Sequence, residues 1–359
     1  MIFYLSNLTY LFSGFNIFRY ITFRAFIGFI FGFILCIFIM PYFIKFVRKK
    51  QFVQTIREDG PKTHLSKQNI PTMGGWVIII STIIASLLSA RLNRFVIWCI
   101  LTILYLGLLG FFDDYLKFIK KHSRGVSPKY KLLFQLIFAL SLCFYLYLNP
   151  SNFRYSTYLH IPYLKEAFIN LGIGYFIFTI LTFVGASNGI NLTDGLDGLA
   201  IGNIIFVSIT YAILSYVAGN FKLASYLKLI YVPGAGELTV VLACLVGVSL
   251  GFLWYNSYPA SIFMGDTGSL FLGGLIGIIA IFIKQEILLV IAGGVFVVEA
   301  LSVILQVGYY KRTKRRIFLM APLHHHYELK GYHEAKITTR FWIISILLSI
   351  IALASLKIR

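Results

Sequence analysis

The stretch Leu106–Lys121, LGLLGFFDDYLKFIKK, closes a hydrophobic run on two adjacent acids and a basic cluster. The run begins near Phe95. Apolar runs of about 18–25 residues can cross a bilayer core of roughly 30 Å as helices, and such runs recur along the chain. Working outward from this one, ten candidate helices can be marked at 22–46, 73–90, 94–112, 130–148, 171–187, 197–218, 237–254, 266–283, 287–308 and 340–356. The 359 residues are 58% hydrophobic and 13% charged, with a mean hydropathy of +0.82. No soluble globule of this length needs that much apolar surface. The expectation is an all-α integral membrane protein. It is read as a single polytopic domain over 1–359, with no soluble domain, no linker and no internal repeat. Residues 1–20 lack the basic start and small-residue cleavage site of a signal peptide and are read as an interfacial aromatic segment.

The formal net charge is +19. In a soluble chain that would suggest nucleic acid. Here the excess follows the bias of Lys and Arg toward cytoplasmic loops, so no nucleic acid is expected, and anionic lipid headgroups or an anionic substrate fit instead. The basic residues crowd the loops after helix 1 (Arg48 to Lys67), after helix 3 (Lys117 to Lys131) and after helix 9 (Lys311 to Arg340). Odd-numbered helices should therefore end in the cytoplasm, with cytoplasmic loops near 48–72, 113–131, 188–197, 255–266 and 309–339. Both termini should be periplasmic. Cys36, Cys99, Cys143 and Cys244 each stand alone in apolar runs and read as small buried hydrophobes.

On this topology Asp113, Asp114, Asp194, Asp197, Asp266 and His324–His326 all fall on the cytoplasmic side. Negative charge is disfavoured at a helix C-terminus, so a metal or the following lysines should offset Asp113 and Asp114. A plainer reading is a charge pair that merely stops the helix. In NGINLTDGLDGLAIG (188–202), Asn191, Thr193 or Asp194 could cap helix 6. Asp194 and Asp197 are three apart, as on one helical face. In NSYPASIFMGDTGSL (256–270), Asp266 opens helix 8. It is either a plain cap or a carboxylate that recruits magnesium beside a phosphate. Three consecutive histidines cannot converge from a regular helix. In a loop, APLHHHYELKGYHE (321–334) could bring one or two to a phosphate; zinc is possible, though the surrounding carboxylates favour a hard ion. Lys67, ahead of Pro71 and helix 2, could reach a phosphate or simply be loop charge. Gln306 could bond a ligand or a neighbour. Glu299, inside a span, reads as a buried, paired acid. Ionisable groups gathered at span ends suit chemistry on a phosphate ester at the membrane surface. A transporter would place them near the midplane.

DDYLK (113–117), NLTDGLDGLA (191–200) and FMGDTGSL (263–270) together resemble the polyprenyl-phosphate N-acetylhexosamine-1-phosphate transferases. PTMGG (71–75), FLWYNSYPA (252–260) and APLHHHYELKG (321–331) are similar to the branch whose donor is UDP-MurNAc-pentapeptide, rather than to the sibling GlcNAc-1-phosphate transferases. The likeness runs from Tyr20 to Trp342. It implies ten transmembrane helices, a homodimer in the cytoplasmic membrane, and an active site facing the cytoplasm. It further implies Mg2+-dependent transfer of phospho-MurNAc-pentapeptide to undecaprenyl phosphate, giving lipid I and UMP for cell-wall synthesis. The implied catalytic residues are Asp113, Asp114, Asp266 and His324, with Asp266 as the metal ligand. Lys67, Lys131, His325 and His326 would face the diphosphate. Asn191, Asp194, Gly195, Leu196 and Phe263 would line the uridine side, and Thr72 and Gln306 complete the substrate-binding set. The basic loop 117–131 differs in length from the family pattern, so Lys121 and Arg124 are given no role.

Overall fold

The computed structural model describes residues 1–50, 70–120, 125–164 and 168–357, with only the backbone of Lys120. Among the described residues ten long helices follow one another: α1 Ile21–Lys49, α2 Gly75–Ser89, α3 Arg94–Lys120, α4 Pro128–Leu148, α5 Gly174–Thr193, α6 Leu199–Ala218, α7 Gly236–Asn256, α8 Asp266–Phe282, α9 Gly294–Thr313 and α10 Glu334–Ala354. Among the described residues eight are long and apolar enough to cross a membrane, while α2 and α8 are shorter apolar helices. The chain is an all-α, multi-pass membrane protein.

Helix α8 is the centre of the bundle. Every residue from Thr267 to Phe282 is buried, and a helix apolar on all sides belongs in a core. At 1.5 Å per residue its length is roughly 26 Å, so it need not meet lipid along its sides. It packs chiefly against α3 and α5, and also touches α2 and α6. Small residues permit the close approach: a Cβ on Gly110 of α3 would strike the backbone of Asp266, and one on Gly273 of α8 would strike Ala186 of α5. Such pairings are favoured where lipid supplies no hydrophobic drive between helices. Helices α1 and α7 pair along their lengths, and α10 lies against α6.

Alternating direction gathers the ends of α3, α5 and α7 with the starts of α2, α4, α6, α8 and α10 on one face. Both chain ends lie on the other. The Met1 amine donates to the carbonyls of Leu87 and Leu88 at the end of α2, at 2.8 Å each, and Lys357 donates to the Tyr226 hydroxyl at 2.6 Å. That opposite face also holds a buried Arg24–Glu237 pair, two bonds of 2.7 Å joining α1 to α7. Residues Tyr158–His160 (β1) and Phe168–Asn170 (β2) form an antiparallel hairpin there. The hairpin was not expected from the sequence.

Several boundaries differ from the sequence reading. Helix α3 continues to Lys120, so Asp113 and Asp114 sit within it and not at its end. Helix α5 runs to Thr193, which makes Asn188 and Asn191 helical and leaves a connection of only 194–198. Helix α6 starts after Gly198 with no side-chain cap, so none of Asn191, Thr193 and Asp194 caps it. The ninth span is broken into Glu286–Ala292 and α9, and α10 begins at Glu334. The histidine triplet lies in a short helix, Leu323–Leu329. Residues 1–20 fold as a short helix and 3-10 turns.

Candidate active site

Asp113, Asp114 and Asp266 offer carboxylate oxygens all within 4.8 Å of one another. Asp113 and Asp114 are buried in the C-terminal part of α3, and Asp266 is the first residue of α8. Adjacent helical side chains diverge by about 100°, so the pair splits. Asp113 turns toward α4: it accepts the Val126 N–H at 2.7 Å and meets Lys131 Nζ at 3.0 Å and Lys117 Nζ at 2.5 Å. Asp114 turns toward α8. Its carboxylate accepts the Asp266 N–H at 3.1 Å, the Thr267 N–H at 2.9 Å and the Thr267 hydroxyl at 2.7 Å.

The Asp266 carboxylate faces the lysines. Its Oδ2 lies 3.1 Å from Lys117 Nζ and 2.5 Å from Lys131 Nζ. The Asn191 amide donates to its Oδ1 at 3.0 Å and to Ser269 at 2.8 Å. Two ammonium groups thus offset part of the charge of three carboxylates among the described residues, as buried charges need partners. Lys117 was not singled out as a site residue from sequence, though its place four residues after Asp113 puts it on the same helical face. Gln135 was missed too. It accepts from Asn188 at 2.8 Å and donates to Ser187 at 3.2 Å, bracing the end of α5 behind Asn191, and nothing in its local sequence marks it.

The next shell divides sharply. The Thr72 hydroxyl lies beside Asp114 at Gly265, where an added Cβ would sit 3.2 Å from it. Phe263 donates its N–H to the Pro71 carbonyl at 2.8 Å, joining the two approaches to the site. Asp194, in the 194–198 connection, has its carboxyl pushed up to about 8 by burial, with the nearby charges of Asp266 and Asp114 adding to the effect. Asp197 is buried and turned away: it accepts the Ala260 N–H at 2.9 Å, and its own N–H donates to Glu334 at 2.6 Å. The two acids therefore do not share a face. Leu196 is buried against Ile337 and Phe341 of α10.

The histidines diverge, as a helix demands. His324 is fully buried, with its N–H donating to Glu299 at 3.2 Å and its Nδ1 3.3 Å from the same carboxylate. Its Nε2 abuts Gly195, where a Cβ would collide with the ring. His325 meets Glu328 at 2.6 Å. His326 Nδ1 accepts the Leu319 N–H at 3.1 Å, and partial burial with Lys330 nearby lowers its pKa. Gln306 uses both ends of its amide on the backbone of Ile317 and Phe318. Lys67 lies outside the described residues.

All-oxygen carboxylate donors this close suit a hard divalent cation, and flanking ammonium groups suit phosphate oxygens. The arrangement can hold a diphosphate at the end of a membrane bundle. A family model described as glycosyl transferase family 4 matches residues 96–284, the interval that carries all three acidic motifs. The chain is 52% identical over 353 residues to a phospho-N-acetylmuramoyl-pentapeptide-transferase from Endomicrobium trichonymphae, covering 98% of each chain. It is 51% identical over 350 residues to one from Desulfotalea psychrophila, covering 97% of each. Identity at this level over nearly the whole length of both chains places this protein in the phospho-N-acetylmuramoyl-pentapeptide-transferase family.

Proposed function

We propose that this enzyme transfers phospho-MurNAc-pentapeptide from UDP-MurNAc-pentapeptide to undecaprenyl phosphate, releasing UMP and leaving lipid I in the membrane. The observation that carries the reading is the convergence of Asp113, Asp266, Lys117 and Lys131 at one end of the bundle. A lipid phosphate whose chain lies in the bilayer arrives at that level.

Asp266, with Asp113 beside it, would hold magnesium, which when bound supplies charge neutralisation for the diphosphate and polarises the β-phosphorus. Lys117 and Lys131 bind the phosphate oxygens that displace their present carboxylate partners. Asp113 orients the lipid phosphate and takes any proton it still carries. An oxygen of that phosphate attacks the β-phosphorus, the bond from phosphorus to the bridging oxygen breaks, and UMP departs with that oxygen. Asn191, Asp194, Gly195, Leu196 and Phe263 line the uridine side, and Thr72 flanks the acids. His325 and His326 reach the donor from the far wall, while His324 and Gln306 hold that wall in place. Attack is direct, because the incoming phosphate is already a competent nucleophile. A phosphorylated aspartate in protein given only the sugar nucleotide would establish a two-step route instead.

The site faces the cytoplasm in this reading, in the cytoplasmic membrane and in contact with its lipids. The gathering of Lys and Arg on the site's side supports that orientation. The homodimer rests on the family resemblance, and cross-linking in membranes tests it. The deciding experiment incubates purified protein with undecaprenyl phosphate, magnesium and either UDP-MurNAc-pentapeptide or UDP-GlcNAc. UMP and lipid I should form with the first donor; turnover of the second alone would assign the sibling activity.

A further inference from the structure

We infer that Asp114 is a positioning residue. Its carboxylate caps the N-terminus of α8 from another helix and so aims Asp266. This rests on the reading of Asp266 as part of the reaction centre. Helix α8 has Gly265 at its N-cap and no side-chain cap of its own. The first backbone N–H groups of a helix need acceptors, and an anion is the best one available. Asp114 supplies it across 152 positions of sequence. Three donors from Asp266 and Thr267 occupy its two oxygens, and Lys117 Nζ lies 3.7 Å from Oδ1.

Gly265 is shaped for the same contact. Its φ of 75° is one that side-chain-bearing residues avoid, and a Cβ there would lie 2.5 Å from Asp114 Oδ2. Glycine thus both turns the chain into α8 and leaves room for the carboxylate. Asp266 is held by its own backbone N–H through this cap, while its side chain points to the lysines. Asp113, one residue away, has no part in the cap and faces Lys117 and Lys131 directly. The two acids of the pair therefore divide the work.

The test uses the full chain with Asp114→Asn, Asp114→Ala, Thr267→Val and Asp114→Asn/Thr267→Val, following UMP release and amide hydrogen exchange. Asparagine keeps an acceptor and is a good cap, so Asp114→Asn should lose about tenfold or less in kcat. KM for the sugar nucleotide should hold, and so should the acid limb of the pH profile. Asp114→Ala should lose more and should speed exchange at residues 266–269 selectively. The double variant should lose less than the product of its single losses, because both changes remove the same contact. An Asp114→Asn protein as inactive as Asp266→Asn, or lacking the acid limb, with exchange at 266–269 unchanged, would put Asp114 in the chemistry and overturn the assignment. Full activity of Asp266→Asn would instead refute the placement of the reaction centre, and the exchange measurement would still decide whether Asp114 caps α8.

Discussion

Rotation of about 100° between neighbours on a helix sends Asp113 to the lysines and Asp114 to the start of α8. Asp266, which the lysines also meet, is the acid proposed to hold magnesium. Among the described residues, three carboxylates against two ammonium groups leave one excess negative charge in the cluster. Asp266→Asn removes that excess, so the melting temperature without metal should not fall. Activity should drop by at least about a thousandfold, the scale of losing electrostatic help at phosphoryl charge. Magnesium should raise the melting temperature of the wild type by binding only the folded state, and this rise should vanish in Asp266→Asn. An equal rise in both proteins would move the metal elsewhere. Asp194 makes a pH prediction. Its carboxyl titrates at about 8 when folded against an ordinary 3.8. Between those values the folded chain holds a proton that the unfolded chain has lost, so stability declines as pH rises through that window. Melting curves of metal-free Asp194→Asn should show a shallower decline than wild type over the same range.

At the scale of elements, α8 is aimed by what touches its first turn. Gly110 lets α3 pass against the Asp266 backbone. Alanine is the better helix former by about 1 kcal/mol, yet Gly110→Ala should lower both melting temperature and turnover, because its methyl displaces α8. A stabilised, active variant would show that α3 and α8 have slack at this crossing. The short helix Leu323–Leu329 explains why a run of three histidines does not act as one group. His324 supports Gly195 from behind and is tied to Glu299. His324→Ala empties a fully buried position beside Gly195, so it should lower the melting temperature and kcat/KM together. His326→Ala, at the rim, should cost least in stability. Equal and small losses for both would mean that Glu299 and Gly195 hold their positions without the imidazole.

For the whole molecule, Lys330 follows the short helix beyond α9 on the site's side of the bundle, and Lys222 lies just beyond α6 on the face that carries the chain ends. Cysteine at 330 should resist a membrane-impermeant thiol reagent in intact cells, and cysteine at 222 should label. The native cysteines are buried and should give little background. The opposite labelling pattern would invert the protein in the membrane and move the site to the outer face.

The fold was legible because lipid is a strict solvent. A backbone crossing it must satisfy its own hydrogen bonds, so apolar runs became helices. All ten were marked in the sequence, and Lys and Arg in alternate loops give the expected direction of each. The acids were legible as a set for the same reason, since charges are excluded from the spans and collect at their ends. Roles within the set were not legible. Whether Asp114 faces a ligand or a helix end depends on where α8 begins, 152 residues away. Whether Asp197 and Gln306 serve substrate or backbone depends on loops that fold over them. Ends of helices were also misplaced at Asp113 and Asn188, because neighbouring helices supplied partners that local sequence does not display. Composition and period determined what must be buried and in which direction each segment runs. Only the packing of α3, α4, α5 and α8 decided which atom each buried polar group meets, because a side-chain hydrogen bond forms over about 3 Å and the residues that share one here are far apart in the chain.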